Sequence, residues 1–166
     1  MRDRDLEIAL RTIGLPLAIM LVAWATFFVL GGRGYLGPLD YPMILRIVAA
    51  MWVAAPVAGG VASRPVDGHH AVRAAWILAA VTGGVLFLLV AGGSGTCTPR
   101  LSGAAFAAAT AACAATIGAG FGLGFLATRW VSQRRGVLPG VAIGAPLHLA
   151  MSTTGYWAFY SFVACP

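Results

Sequence analysis

The sequence predicts an all-α fold, a polytopic integral membrane protein that forms a bundle of five transmembrane helices with short loops. Five apolar stretches each hold about 20 or more residues, enough at 1.5 Å per residue to cross a hydrocarbon layer of about 30 Å. None of them contains an Asp or a Glu. The chain is 60% hydrophobic and 10% charged, whereas soluble domains carry about 25% charged residues. The predicted spans are about 12–32, 43–62, 72–91, 101–128 and 138–163, and they leave room for a single transmembrane domain, residues 1–166.

The first two predicted spans carry prolines and charges near their ends. Span 1 has Pro16 near its start, where a proline costs little because the first N–H groups of a helix have no intrahelical acceptor. Span 2 has Arg46 about one turn inside its start, and Asp40 is a candidate partner for it. This guanidinium is expected to reach the headgroups along its aliphatic stem; the alternative is a ligand-binding role. Pro56 is expected to bend the far end of span 2.

Span 4 differs from the others because it is rich in small residues and poor in large side chains. Ala and Gly recur at intervals of four, which lets two helix backbones approach closely where lipid gives apolar side chains no drive to associate. We therefore expect span 4 to be the most protein-buried helix, at the centre of the bundle or against a partner. The residues predicted to pack at backbone distance are Gly118, Gly120, Gly122 and Gly124.

The stretch before span 5, residues 128–136, is the most basic part of the chain and is predicted to be a loop. Span 5 contains Pro139 and Pro146 and ends in an aromatic run, which is typical of a membrane interface. A proline near the midplane is a feature of the discontinuous helices of transporters. The sequence offers no symmetry-related second helix of this kind, and the odd number of spans does not suit two equal halves.

The arginine distribution predicts the orientation in the membrane. All 11 Lys+Arg positions are Arg, and cationic residues near the ends of short loops favour the cytoplasmic side. If the N-terminus is cytoplasmic, the inside set is Arg2, Arg4, Arg11, Arg64, Arg73, Arg129, Arg134 and Arg135, and the outside set is Arg33, Arg46 and Arg100. We therefore predict a plasma-membrane protein with a cytoplasmic N-terminus and an extracytoplasmic C-terminus. The absence of Lys and the Ala and Gly content indicate a GC-rich bacterial genome.

His148 is the main candidate for a polar site inside the membrane. It lies about ten residues into span 5, about 15 Å from the inner edge and so near the midplane. We expect a neutral imidazole that is hydrogen-bonded to Ser152, at i+4, and to a backbone carbonyl freed by Pro146. The functional alternative is a haem, quinone or substrate contact, but haem between helices normally needs a second axial ligand. The candidate intramembrane site is His148, Ser152, Thr153 and Thr154.

The cysteines and the His-His pair suggest structure rather than chemistry. Cys97 and Cys165 both follow a span on the predicted outer side, where disulfides persist, and we expect a bond between them. Cys113 lies within span 4 and is expected to be a small apolar filler. His69 and His70 lie in a predicted loop without further ligands nearby, so no metal site is expected.

The function predicted from these observations is a small non-catalytic membrane protein, an accessory or structural subunit of a larger membrane complex. Its expected partners are the lipid bilayer and other membrane subunits or further copies of itself. No cofactor or catalytic residue is predicted, because general acid–base and metal chemistry would depend on one His. The arginines are spread over termini and loops, which argues against nucleic acid. The alternatives are an oligomeric transporter or channel component with its site at His148 and Ser152–Thr154, or an intramembrane redox protein.

Overall fold

Five helices form the part of the chain that the computed structural model describes, which comprises residues 7–26, 29, 40–92 and 103–162. No strand occurs within these ranges. The helices are α1 (Glu7–Thr26), α2 (Asp40–Ala62), α3 (Gly68–Gly92), α4 (Gly103–Arg135) and α5 (Val137–Phe162).

Four of these helices are long and apolar enough to cross a membrane. The candidate spans are Glu7–Thr26, Gly68–Leu88, Gly103–Arg135 and Val137–Ala158. Among the described residues of α2, the apolar stretch Arg46–Ala62 is shorter. The all-α fold with several candidate membrane helices is thus confirmed, and the fifth span stays a prediction.

The first helix contains one wide turn. Residues Leu10–Gly14 form a π-helix, in which the N–H of Leu15 donates to the carbonyl of Leu10. Pro16 lies two residues after Gly14, and because it has no N–H it cannot donate to the carbonyl of Thr12, four residues before it. Since this α-helical hydrogen bond is absent in any case, forming the wider π-helical turn here sacrifices one hydrogen bond fewer. The hydroxyl of Thr12 donates to the carbonyl of Ile8 at 2.7 Å.

The helix α4 lies at the centre of the bundle, in contact with α2, α3 and α5, while α1 packs mainly on α2. The core between them contains Met20, Leu78, Phe121 and Phe125. Of the 33 residues of α4, 13 are buried, a larger number and share than in any other helix among the described side chains. The expectation that span 4 is the most buried helix is therefore confirmed within the chain, although the first half of α4 turns much of its alanine surface outward.

The predicted loop at residues 128–136 is helical. The helix α4 continues to Arg135, and a single residue, Gly136, separates it from α5. Gly136 has a φ of 94°, a left-handed conformation that glycine adopts without steric cost. At 33 residues, α4 is about 50 Å long. A helix of this length is longer than a bilayer core of about 30 Å is thick, so its basic end can extend beyond the core. The arginines therefore belong to the end of a helix rather than to a loop.

Around Gly136 the two longest contacting helices form an antiparallel seam. Glycines of one helix face larger side chains of the other, at positions that lie nearly symmetrically about the turn. The facing pairs are Ser132 with Gly140, Thr128 with Gly144, Gly124 with His148, Gly120 with Met151, and Ile117 with Gly155. Since glycine has no side chain, each pair brings the backbones of α4 and α5 close together.

The four glycines singled out in span 4 face two different helices. Gly118 and Gly122 lie against α3, at the carbonyls of Ala79 and Ala75. Gly120 and Gly124 lie against α5. Two sets on adjacent faces let α4 contact both neighbours at backbone distance.

Candidate functional site

His148 is fully buried between three helices. Its Cβ lies against Gly124 of α4, where an added Cβ would stand 2.7 Å from it. The ring of Phe121 approaches edge-on, with centroids 5.5 Å apart. The ring of Trp52, from α2, lies at 6.2 Å. His148 is 0% exposed, so a ligand could reach it only if the bundle opened.

The two ring nitrogens of His148 have different surroundings. Nδ1 lies 3.4 Å from the hydroxyl of Ser152, which is long for a hydrogen bond. Nε2 has no partner of good geometry among the described residues. The carbonyls of Trp52 and Gly120 nevertheless face the ring.

Proline explains why one of these carbonyls is available. Pro56 lies inside α2, four residues after Trp52. Because Pro56 has no N–H, the carbonyl of Trp52 lacks its usual helical donor. A neutral imidazole protonated at Nε2 could donate to it, while Nδ1 accepts from Ser152. The sequence pointed to the carbonyl freed by Pro146, whereas the carbonyl beside the ring is the one freed by Pro56.

The four residues of the predicted polar site do not lie together. Ser152 is half-buried and faces His148. Thr153 and Thr154 are exposed on the outside of α5 and donate to the carbonyls of Leu149 and Ala150, at 2.7 and 2.8 Å. Within one chain, His148 and Ser152 therefore form an inner pair, and Thr153 and Thr154 form a separate pair on the outside of α5.

No group of three or more potential metal ligands occurs among the described residues. His69 and His70 form an edge-to-face pair with ring centroids 5.5 Å apart, and both are exposed at the start of α3. Cys113 is buried as a free thiol. The predicted Cys97–Cys165 disulfide lies outside the described residues and stays a prediction.

A second buried polar centre, which the sequence analysis did not single out, is Arg129. It is 9% exposed, and its Nε donates to the carbonyl of Ser63 at 3.2 Å. Its Nη2 donates to the carbonyl of Val66. One turn later, Gln133 donates to the carbonyl of Arg64 at 2.7 Å. The end of α4 thereby holds the turn between α2 and α3.

Hydrogen bonds and aromatic contacts dominate the described surroundings of these two centres. Arg129 is occupied by backbone carbonyls, and Asp67 is the acidic residue that interacts with it. His148 faces carbonyls, aromatic rings and one hydroxyl. Ser152 and His148 place a hydroxyl beside an imidazole, but their separation of 3.4 Å is long for a hydrogen bond and His148 is fully buried. Both arrangements are suited to holding helices together.

We expect His148→Gln to fold close to normally and His148→Leu to be destabilised by about 1–3 kcal/mol. An amide can donate and accept as the imidazole does, whereas leucine leaves the Trp52 carbonyl buried without a donor. Thermal unfolding of both variants in detergent measures the difference. Equal stability of the two variants would contradict a hydrogen-bonding role.

Comparisons with known proteins give no relative from which a role could be transferred. No family model matches the chain, and neither does any curated protein or any solved structure.

Proposed function

We propose that the chain is a non-catalytic accessory subunit of a larger complex in the plasma membrane. In this proposal all five helices span the bilayer, with the N-terminus in the cytoplasm and the C-terminus outside. The bundle holds its own polar groups in structural contacts and presents an outer face of α5 to a helix of another subunit.

The observation that carries the proposal is a depression on the outside of α5. It has a volume of about 680 Å³ and is lined by Pro146, Leu149, Ala150, Thr153, Thr154, Trp157 and Ala158. Four of these seven residues are Ala or Thr, and Trp157 is 61% exposed. In lipid, association depends on such close packing and on hydroxyl groups that can bond across helices. The surface suits one partner helix.

The basic end of the bundle supports the proposed orientation. Arg129 and Gln133 bring the end of α4 to the turn between α2 and α3. The start of α1 adjoins the start of α3, where Ile8 and Thr12 share a small cavity with Arg73. Three segments that carry arginines therefore meet at one end, and the excess of arginine favours the cytoplasm.

We expect Ala150→Trp to abolish partner binding without unfolding the bundle. Tryptophan would fill the depression, and Ala150 is exposed, so it touches little of the chain's own core. The tagged chain is purified from its native membrane in mild detergent, and the stoichiometry of co-migrating proteins is measured. Binding should fall at least about tenfold, the effect of losing about 1.4 kcal/mol.

Ala18→Trp is the matched control, because Ala18 is an exposed alanine of α1. It should retain a stoichiometric partner, and both variants should unfold at the wild-type temperature. A chain that purifies without any other protein would overturn the accessory role. A second copy of the chain as the sole partner would favour the oligomeric transporter or channel instead.

A further inference from the structure

An apolar groove lies between α3 and α4. A cavity of about 420 Å³ is lined by residues of both helices, among them Gly83, Gly84 and Ala115, with Trp76 and Phe87 as its large side chains. A smaller cavity of about 70 Å³ continues it and shares Trp76, Ala79 and Ala119 with it. The total volume lies within the range of about 300–1,000 Å³ usual for small-molecule sites.

One end of this groove points to the basic end of the bundle. Leu123 and Leu126 line the smaller cavity. Trp130 lies one turn beyond Leu126 on the same face of α4, and Arg134 lies one turn beyond Trp130. The guanidinium of Arg134 stands over the ring of Trp130, 4.2 Å from its centroid. The apolar groove therefore leads to a cation held on an aromatic ring.

This combination matches the two parts of an anionic phospholipid. A long apolar groove between helices accepts an acyl chain, and a Trp–Arg pair at the helix end lies where a headgroup phosphate would be. Basic sites between membrane helices on the cytoplasmic side are a recognised mode of binding anionic lipids. A purely apolar helix in the groove would leave the charge of Arg134 without an anionic partner, whereas an anionic phospholipid supplies both the apolar chain and the negative charge.

We propose that the α3–α4 groove binds one anionic phospholipid of the inner leaflet, with an acyl chain beside Ala115 and Ala119 and the phosphate at Arg134. This inference rests on the proposed membrane insertion and orientation but not on the proposed partner at α5. Its role would be to fill the side of α4 that the bundle leaves open.

The test is native mass spectrometry of the full chain in detergent, with added phosphatidylglycerol or phosphatidylcholine of the same acyl chains. We expect one phosphatidylglycerol per chain, retained at least about fivefold better than phosphatidylcholine. Arg134→Gln should lower phosphatidylglycerol retention about fivefold, the effect of about 1 kcal/mol for one basic residue near a lipid headgroup. Arg135→Gln is the matched control, since it removes the same charge from a neighbouring position that helical geometry rotates by about 100°.

A second pair of variants tests the apolar part. Ala115→Trp fills the groove at an exposed position and should lower retention of both lipids, while Ala18→Trp should not. Equal effects of Arg134→Gln and Arg135→Gln would overturn the phosphate site. Unchanged retention in Ala115→Trp would overturn the groove site. A chain that does not sediment with membranes at all would instead overturn the proposed function.

Discussion

Arg129→Ala is expected to lower the free energy of unfolding by about 3 kcal/mol. The buried guanidinium donates to the carbonyls of Ser63 and Val66, and hydrogen bonds that involve a charged group contribute about 1.5–3 kcal/mol each. We take the lower end for each bond, because the turn between α2 and α3 lies at an end of the bundle where water can replace part of the loss. Denaturant unfolding in detergent measures the change.

Two further variants separate geometry from charge. Arg129→Lys keeps the charge but lacks the planar fork that reaches two carbonyls at once, so it should recover no more than about half of the loss. Arg135→Ala removes an exposed arginine of the same helix and should leave stability unchanged within about 0.5 kcal/mol. Cleavage by a non-specific protease within residues 63–67 should increase in Arg129→Ala. If that variant resists both denaturant and protease like the wild type, the turn is held by other contacts.

The positions of the long helices were predictable from the sequence, because a membrane helix is recognised by the length and apolarity of its segment. Four long apolar helices occur where the sequence predicted spans. The stretch 128–136 was not predictable in the same way, because arginines mark the place where a chain leaves the lipid, not the place where a helix ends. Gly136 was the local signal for the turn, since it is the residue that takes a positive φ between α4 and α5.

Of the contacts around His148, only those within its own helix, α5, were predictable from the sequence. His148 and Ser152 are four residues apart, so the sequence places them on one face. Thr153 and Thr154 follow at steps of about 100° around the helix, so they turn away from that face. The environment of His148 depends on Trp52 and Phe121, which other helices supply. No pattern within one segment reveals such contacts.

Gly118→Ala is expected to destabilise the bundle by about 3 kcal/mol, although it adds one methyl group. Its Cβ would overlap the carbonyl oxygen of Ala79 and stand 3.2 Å from the N of Gly83. Both atoms belong to the backbone of α3, so no rotamer change relieves the contact, and the helices must separate. Overpacking of this kind typically costs about 1–3 kcal/mol, and the rigid neighbour places Gly118 at the upper end.

Gly122 and Gly84 provide a graded comparison on the same pair of helices. A Cβ on Gly122 would lie 3.0 Å from the carbonyl oxygen of Ala75, so Gly122→Ala should cost less than Gly118→Ala. A Cβ on Gly84 would meet nothing within 4 Å, and alanine favours a helix by up to about 1 kcal/mol over glycine. Gly84→Ala should therefore be neutral or stabilising. Denaturant unfolding of the three variants in one detergent should give the order 118, 122, 84 from most to least destabilised. A Gly118→Ala variant as stable as Gly84→Ala would show that α3 and α4 do not pack at backbone distance.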